Sequence, residues 1–167
     1  MCRNVSPSRR TGALRSDSRG SLGWVRTPTM PSISGRVEVN LTVTDPAISA
    51  RWYSSLLGLE ELYDHTGADN QMRYIALRDP RSQFVLGLVG HAANDRKPFS
   101  EFRTGLDHLE FMVDRREDLD QWATELDQLG ISHSGVKTPN YTRNAMLTFR
   151  DPDHIQLEFF WRAPATP

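Results

Sequence analysis

One histidine and one glutamate stand in two short alternating segments that could bring them together. Gly105–Phe111 reads GLDHLEF, and Arg150–Trp161 reads RDPDHIQLEFFW. Side chains along a strand alternate between its two faces. His108 and Glu110 therefore point one way, and Leu109 and Phe111 the other. In the second segment Gln156, Glu158 and Phe160 share one face, opposite Ile155, Leu157 and Phe159. If both strands lie in one curved sheet, the His108 imidazole and the Glu158 carboxylate converge on a point. That donor combination holds divalent metals.

The same pattern occurs earlier in the chain. Leu57-Gly58 recurs as Leu129-Gly130, and Arg78-Asp79-Pro80 as Arg150-Asp151-Pro152, both 72 residues further on. The offsets read as an internal duplication, each copy β-α-β-β-β. By this symmetry Glu38 answers to His108 and Gly87 to Glu158, which gives four equivalent inward positions. Gly87 has no side chain, so three candidate metal ligands remain: Glu38, His108 and Glu158. One imidazole and two carboxylates balance a divalent charge and leave positions for water or substrate. Such a set suits Fe, Mn, Ni, Zn or Mg better than a soft metal. An open position is what Lewis-acid or oxygen-activating chemistry requires. Other readings stay open: Glu38 pairs with Arg73 or Arg103, or the cup holds no metal. His91 shares the parity of Gly87 and is read as a fourth ligand, a substrate contact or a surface histidine. Arg103, Tyr141 and His154 are the other candidates for a substrate pocket.

These positions need elements to hold them. Val37–Thr44 alternates, with Val37, Val39, Leu41 and Val43 on its apolar face. Asp45 is a good N-cap and Pro46 suits the first helical position. The helix then runs to about Leu57, burying Ile48, Trp52, Tyr53 and Leu56, and Gly58 ends it. Strands are expected over Leu59–Tyr63, Gln71–Leu77 and Phe84–Val89, with a polar loop over His65–Asn70. Residues 90–104 form a polar connector. In the second copy Asp114 is expected to cap a helix, with Glu117 completing a capping box. Its stripe is Leu119, Trp122, Ala123, Leu126 and Leu129, and Gly130 ends it. Strands follow over Ile131–Val136, Asn144–Phe149 and His154–Trp161. Trp52, Trp122 and Phe159 are read as core. The expected fold is α+β: two βαβββ modules forming a cup-shaped, partly open β-barrel with flanking helices.

Composition bounds the function. Charged residues make up 25% of the 167 and apolar residues 38%, as in ordinary globular proteins. No apolar run approaches the roughly 18 residues a membrane span needs. Residues 1–30 carry six arginines and one aspartate, so the remainder is mildly acidic and argues against a nucleic-acid partner. The single cysteine, Cys2, excludes a disulfide framework and fits a reducing compartment. Residues 1–34 are rich in Arg, Ser and Gly and too poor in apolar surface to offset ordering. They read as a disordered extension, with Met30 the initiator, as an organellar transit peptide, or as a basic arm. Without the apolar core of a secretory signal, the expected location is the cytoplasm. The expected domain spans 35–162, with module one at 35–92, module two at 105–162, and a tail at 163–167.

The segments VNLTVTD…WYSSLLGLE, GLDHLEFMVD…LDQLGI and FRDPDHIQLEFF resemble the vicinal oxygen chelate superfamily. That group includes glyoxalase I, fosfomycin-resistance and bleomycin-resistance proteins and extradiol dioxygenases. The resemblance covers about residues 36–161. It implies ligand positions at Glu38, Gly87, His108 and Glu158. The first is usually His or Gln in the family, so Glu38 is a departure. Gly87 lacks the acid that glyoxalase I enzymes carry, which argues against glyoxalase I activity. The resemblance implies a metal-dependent lyase, transferase or dioxygenase acting on a small oxygenated molecule. Its alternative is a metal-free binding protein of the bleomycin-resistance type. A homodimer is the expected assembly.

Overall fold

The structure, a computed structural model, describes residues 37–165. The readings placed on residues 1–34, Cys2 included, lie outside them. The described chain runs β1 (Glu38–Thr42), α1 (Pro46–Leu57), β2 (Glu60–Thr66), β3 (Met72–Arg78), β4 (Val85–His91), β5 (Leu109–Met112), α2 (Asp118–Gln128), β6 (Ala145–Arg150) and β7 (Gln156–Trp161). Two sheets form, ordered β1-β4-β3-β2 and β5-β7-β6, and neither closes into a barrel. In each, the first strand lies parallel to the last, and the strand before the last returns antiparallel. The α+β class and the open, cup-like sheets are as the sequence implies, although the second sheet has three strands where four were expected.

Local signals explain most boundaries. The Asp45 carboxylate accepts from Ala47 N and Ile48 N, and Pro46 opens α1. Such a cap is worth about 1 kcal/mol. Gly58 ends the helix at φ 67, a left-handed conformation that glycine adopts without a Cβ penalty. Tyr53 and Leu56 are buried as expected, but Ile48 is 48% exposed, and Ser49 and Ala50 take its place against the sheet.

The second module departs from the expected pattern at three points. No strand forms over Ile131–Val136; only single bridges, His133 with Phe149 and Lys137 with Met146, touch β6. Gly135 is left-handed at φ 69, and the Ser134 hydroxyl takes the Thr148 N–H, so the ladder cannot continue. Asp114 does not cap α2. Asp118 instead accepts the Arg115 N–H and pairs with its guanidinium, and the helix starts only there. Leu129 is exposed, while Leu119 and Leu126 are fully buried. In module one, β2 runs on through His65 to Thr66 because Asp64 and Arg73 pair across to β3.

A single apolar core joins the modules through the helix-bearing faces of both sheets. It includes Leu41, Val43, Tyr53, Leu86 and Leu88 from the first and Leu119, Leu147, Leu157 and Phe159 from the second. Phe84 meets Phe111 edge-on at 5.8 Å, and Trp52 lies 6.4 Å from Phe149. The opposite faces of the two sheets carry the polar residues of interest.

Candidate metal centre

The parallel pairing of β5 with β7 sets the geometry. Glu110 stands directly across from Glu158, and His108 lies two residues earlier on the same face. One ligand atom from each of His108, Glu110 and Glu158 falls within 4.8 Å of the others. Sequence reasoning gave Glu110 the face of His108 but did not choose it as a ligand. Only the register reveals that it opposes Glu158.

Glu158 is the residue that stands out physically. It is 6% exposed, yet no lysine or arginine pairs with it, and it accepts no hydrogen bond among the described residues. An unpaired buried carboxylate is costly. Burial raises its pKa, and the neighbouring Glu110 and Asp107 charges add to the rise, while His108 opposes it. Its oxygens keep a narrow contact with solvent, since no fully enclosed side-chain oxygen among the described residues lacks a partner. His108 is oriented by its neighbour: Asp107 Oδ1 lies 2.6 Å from Nδ1. A carboxylate at this separation accepts the Nδ1 proton, which leaves Nε2 as the lone pair available to a cation. An imidazole oriented through Nδ1 and two carboxylates, one of them buried without a hydrogen-bond or Lys/Arg partner, fit a divalent ion. Donors around such an ion stand about 3 Å apart for bonds near 2.1 Å. Small side-chain rotations, above all of the exposed Glu110, would close the present spacing.

The equivalent face of module one is built differently. Glu38 is outside the His108 group. Its Oε1 accepts the Tyr74 hydroxyl at 2.5 Å, while Arg73 pairs with Asp64. Asn40 opposes Gly87 as Glu110 opposes Glu158. A Cβ at Gly87 would overlap Asn40 Oδ1 and lie 2.6 Å from the Tyr74 ring, so these side chains fill the room of the missing fourth ligand. Tyr63 stacks on His65 beside Tyr74, with ring centroids 5.8 Å apart in both pairs.

Neither His91 nor His154 joins the His108 group. His91 ends β4 and is exposed, and Tyr141 is 89% exposed in a loop. His154 occupies the Asp151–Ile155 turn at φ 64. Arg103 lines a cavity of about 210 Å³ with Thr42, Thr44, Leu106 and Asp153. Arg150, facing the same way as Glu158, is held by Glu101 of the connector through two hydrogen bonds, 2.7 and 3.2 Å, and by Gln156. That guanidinium keeps Glu101 ionised down to a pKa of about 2.

Comparison with known proteins agrees with this architecture. The sequence profile of the Glyoxalase/Bleomycin resistance protein/Dioxygenase superfamily matches residues 35–159. A glyoxylase/bleomycin resistance protein/dioxygenase domain from Frankia sp. EAN1pec is 32% identical with a TM-score of 0.69, over 79% of this chain and 100% of its own. The fosfomycin resistance protein FosX from Listeria monocytogenes, solved with Mn(II) and sulfate, is 15% identical with a TM-score of 0.56, covering 79% and 95%. TnmS3, an antibiotic binding protein from Streptomyces sp. CB03234, is 20% identical with a TM-score of 0.58, covering 80% and 100%. No curated protein sequence matches. With the profile spanning most of its length and the paired modules in place, the chain belongs to the glyoxalase/bleomycin resistance protein/dioxygenase superfamily.

Proposed function

We propose that this chain binds a divalent metal through His108 and Glu158 and acts as a metal-dependent enzyme, of lyase, transferase or dioxygenase type, on a small oxygenated organic molecule. The observation that carries this reading is the buried, unpartnered Glu158 carboxylate converging with an imidazole that Asp107 orients. The Mn(II) in FosX, a protein of the same fold, lends support. When bound, the ion would supply Lewis-acid polarisation of substrate oxygens. The chain's own residues supply the rest. Asp107 holds the proton on His108 Nδ1, Glu158 contributes negative charge from a desolvated position, and Glu101 holds Arg150 in place on the same sheet. The Tyr74 hydroxyl occupies Glu38 Oε1, which leaves Oε2 as the oxygen Glu38 could offer to an ion.

A second reading is a metal-free protein that binds a small molecule on these faces. The filled space at Gly87 favours it, because that position offers no ligand. A cytoplasmic homodimer goes with either reading. β2 is exposed along all seven residues, with Leu62 and Tyr63 about half exposed, and such an edge invites pairing.

The test is metal content of protein purified without chelator or His-tag, beside His108→Ala. About one equivalent of a divalent transition metal in the parent, lost in the variant, is the expected result. No metal in either protein, and none taken up from a panel of divalent ions, leaves the binding-protein reading.

A further inference from the structure

We propose that Glu110 is the third protein ligand, so that His108, Glu110 and Glu158 form a divalent-metal set contained within one chain. The inference rests on the metal-binding reading above and goes beyond it by replacing Glu38. Three observations carry it.

The register comes first. His108 and Glu110 are two residues apart on one face, and Glu110 is the direct cross-strand neighbour of Glu158. Ligand atoms of all three lie within 4.8 Å of one another. Glu38 lies outside this group and already has a partner in Tyr74.

The second is charge. Like charges on directly paired strand positions are destabilising. Glu110 and Glu158 are such a pair, and no lysine or arginine among the described residues forms an ion pair with either. A solvated Glu110 alone would be an ordinary surface residue. Beside a carboxylate that is more than nine-tenths buried, unpartnered and aimed at the same point, it completes a site that a cation would neutralise.

The third is the duplication. In module one the three corresponding positions are Glu38, Asn40 and Gly87. The opposed pair of acids is replaced there by an amide and a glycine, with the amide filling the space. Only module two retains three donors on one face. Imidazole with two carboxylates selects the Mn, Fe, Ni, Zn group over soft monovalent ions.

The test is titration of chelator-stripped full chain with Mn(II), followed by the EPR signal of the free ion, and with Zn(II) by competition with a chromophoric chelator. Parent, Glu110→Gln, Glu38→Gln and His108→Ala are compared, with circular dichroism to verify folding. Glu110→Gln is expected to weaken binding by more than about 100-fold, beyond what outer-shell losses cost, and Glu38→Gln to change it by less than about 3-fold. Parent-like affinity in Glu110→Gln, with affinity lost in His108→Ala, overturns the inference and leaves the metal reading standing. A loss in Glu38→Gln equal to that in His108→Ala also overturns it, making Glu38 the third donor. A parent that binds neither ion removes both the inference and the reading beneath it.

Discussion

The hydroxyl of Tyr53 on α1 donates to Asp151 Oδ2 at 2.9 Å, tying together residues 98 positions apart. Asp151 also accepts the N–H groups of Asp153 and Ile155 on Oδ1, and Asp153 in turn accepts from Thr44 N. The turn that starts β7 is thus fastened to the start of α1, and the modules are held by buried polar groups as well as by the shared core.

That arrangement has a pH signature. Burial raises Asp151 from the ordinary carboxylate value to about 6, although its three donors pull the other way. Burial likewise raises Tyr53, which therefore stays a donor at any working pH. The native state then binds more protons than the unfolded chain between about pH 4 and 6, so Asp151's contribution to stability grows as pH falls through that window and is flat above it. Unfolding in urea at pH 7.5 and at pH 5, for the parent and Asp151→Asn, isolates the effect. Relative to the variant, the parent should gain about 1.4 kcal/mol at the lower pH. A relative loss on acidification would mean that the hydrogen bonds outweigh desolvation.

Gly87→Ala tests whether the fourth ligand position has been taken over. The added methyl meets the Asn40 amide and the Tyr74 ring. Asn40 is exposed and can swing away, but Tyr74 must shift and loosen its bond to Glu38. The expected loss is about 1–2 kcal/mol in urea unfolding, as for a mild overpacking. An unchanged midpoint would show that the space at Gly87 is not filled in solution.

How far the sequence could reach follows from which signals are local. Asp45, Pro46, Gly58 and Gly130 act within a few residues of themselves, and each marks a helix end in the structure. Asp114 was an equally good cap by type, yet Asp118 captured Arg115 and delayed the helix, a competition between two nearby acids that residue preference does not rank. The strand over Ile131–Val136 failed at Gly135, whose backbone turns left-handed. The site divides in the same way. Alternation gave His108 and Glu158 each the polar face of its own strand, and the pairing of β5 with β7 made that face common. The partner of Glu38 lies 36 residues away on β3, and the opposition of Glu110 to Glu158 depends on a parallel register between strands about 48 residues apart. Register is a long-range property, so neither relation is written in a local pattern.

His154→Gly should stabilise the protein. His154 sits at φ 64, where a Cβ costs about 1–2 kcal/mol. The backbone bonds there, His154 N to Asp151 O and Arg150 Nη1 to His154 O, do not need the imidazole. Part of the gain is lost to the greater freedom of glycine in the unfolded chain. A net gain of about 0.5–1 kcal/mol corresponds to a rise in Tm of about 2–5 °C. A fall in Tm would assign the His154 side chain a structural contact that the turn does not display.

Metal binding should also be visible as stability, independently of any reaction. Glu110 and Glu158 repel each other and Glu158 is desolvated, so the folded state carries an electrostatic cost that an ion at His108 would offset. An ion that binds only the folded state stabilises it by RT ln(1 + [L]/Kd), about 2.7 kcal/mol at 100 times Kd. Chelator-stripped protein given Mn(II) or Zn(II) in such excess should therefore unfold at higher urea, and EDTA should reverse the gain. In His108→Ala the gain should disappear. Glu158→Leu separates the cost from the binding: it removes the buried charge, so the stripped variant should be at least as stable as the stripped parent. The same variant should gain nothing from the ion. A Glu158→Leu protein that is much less stable than the stripped parent would mean that Glu158 is satisfied in the folded chain without a metal, and the case for the centre would lose its main physical support.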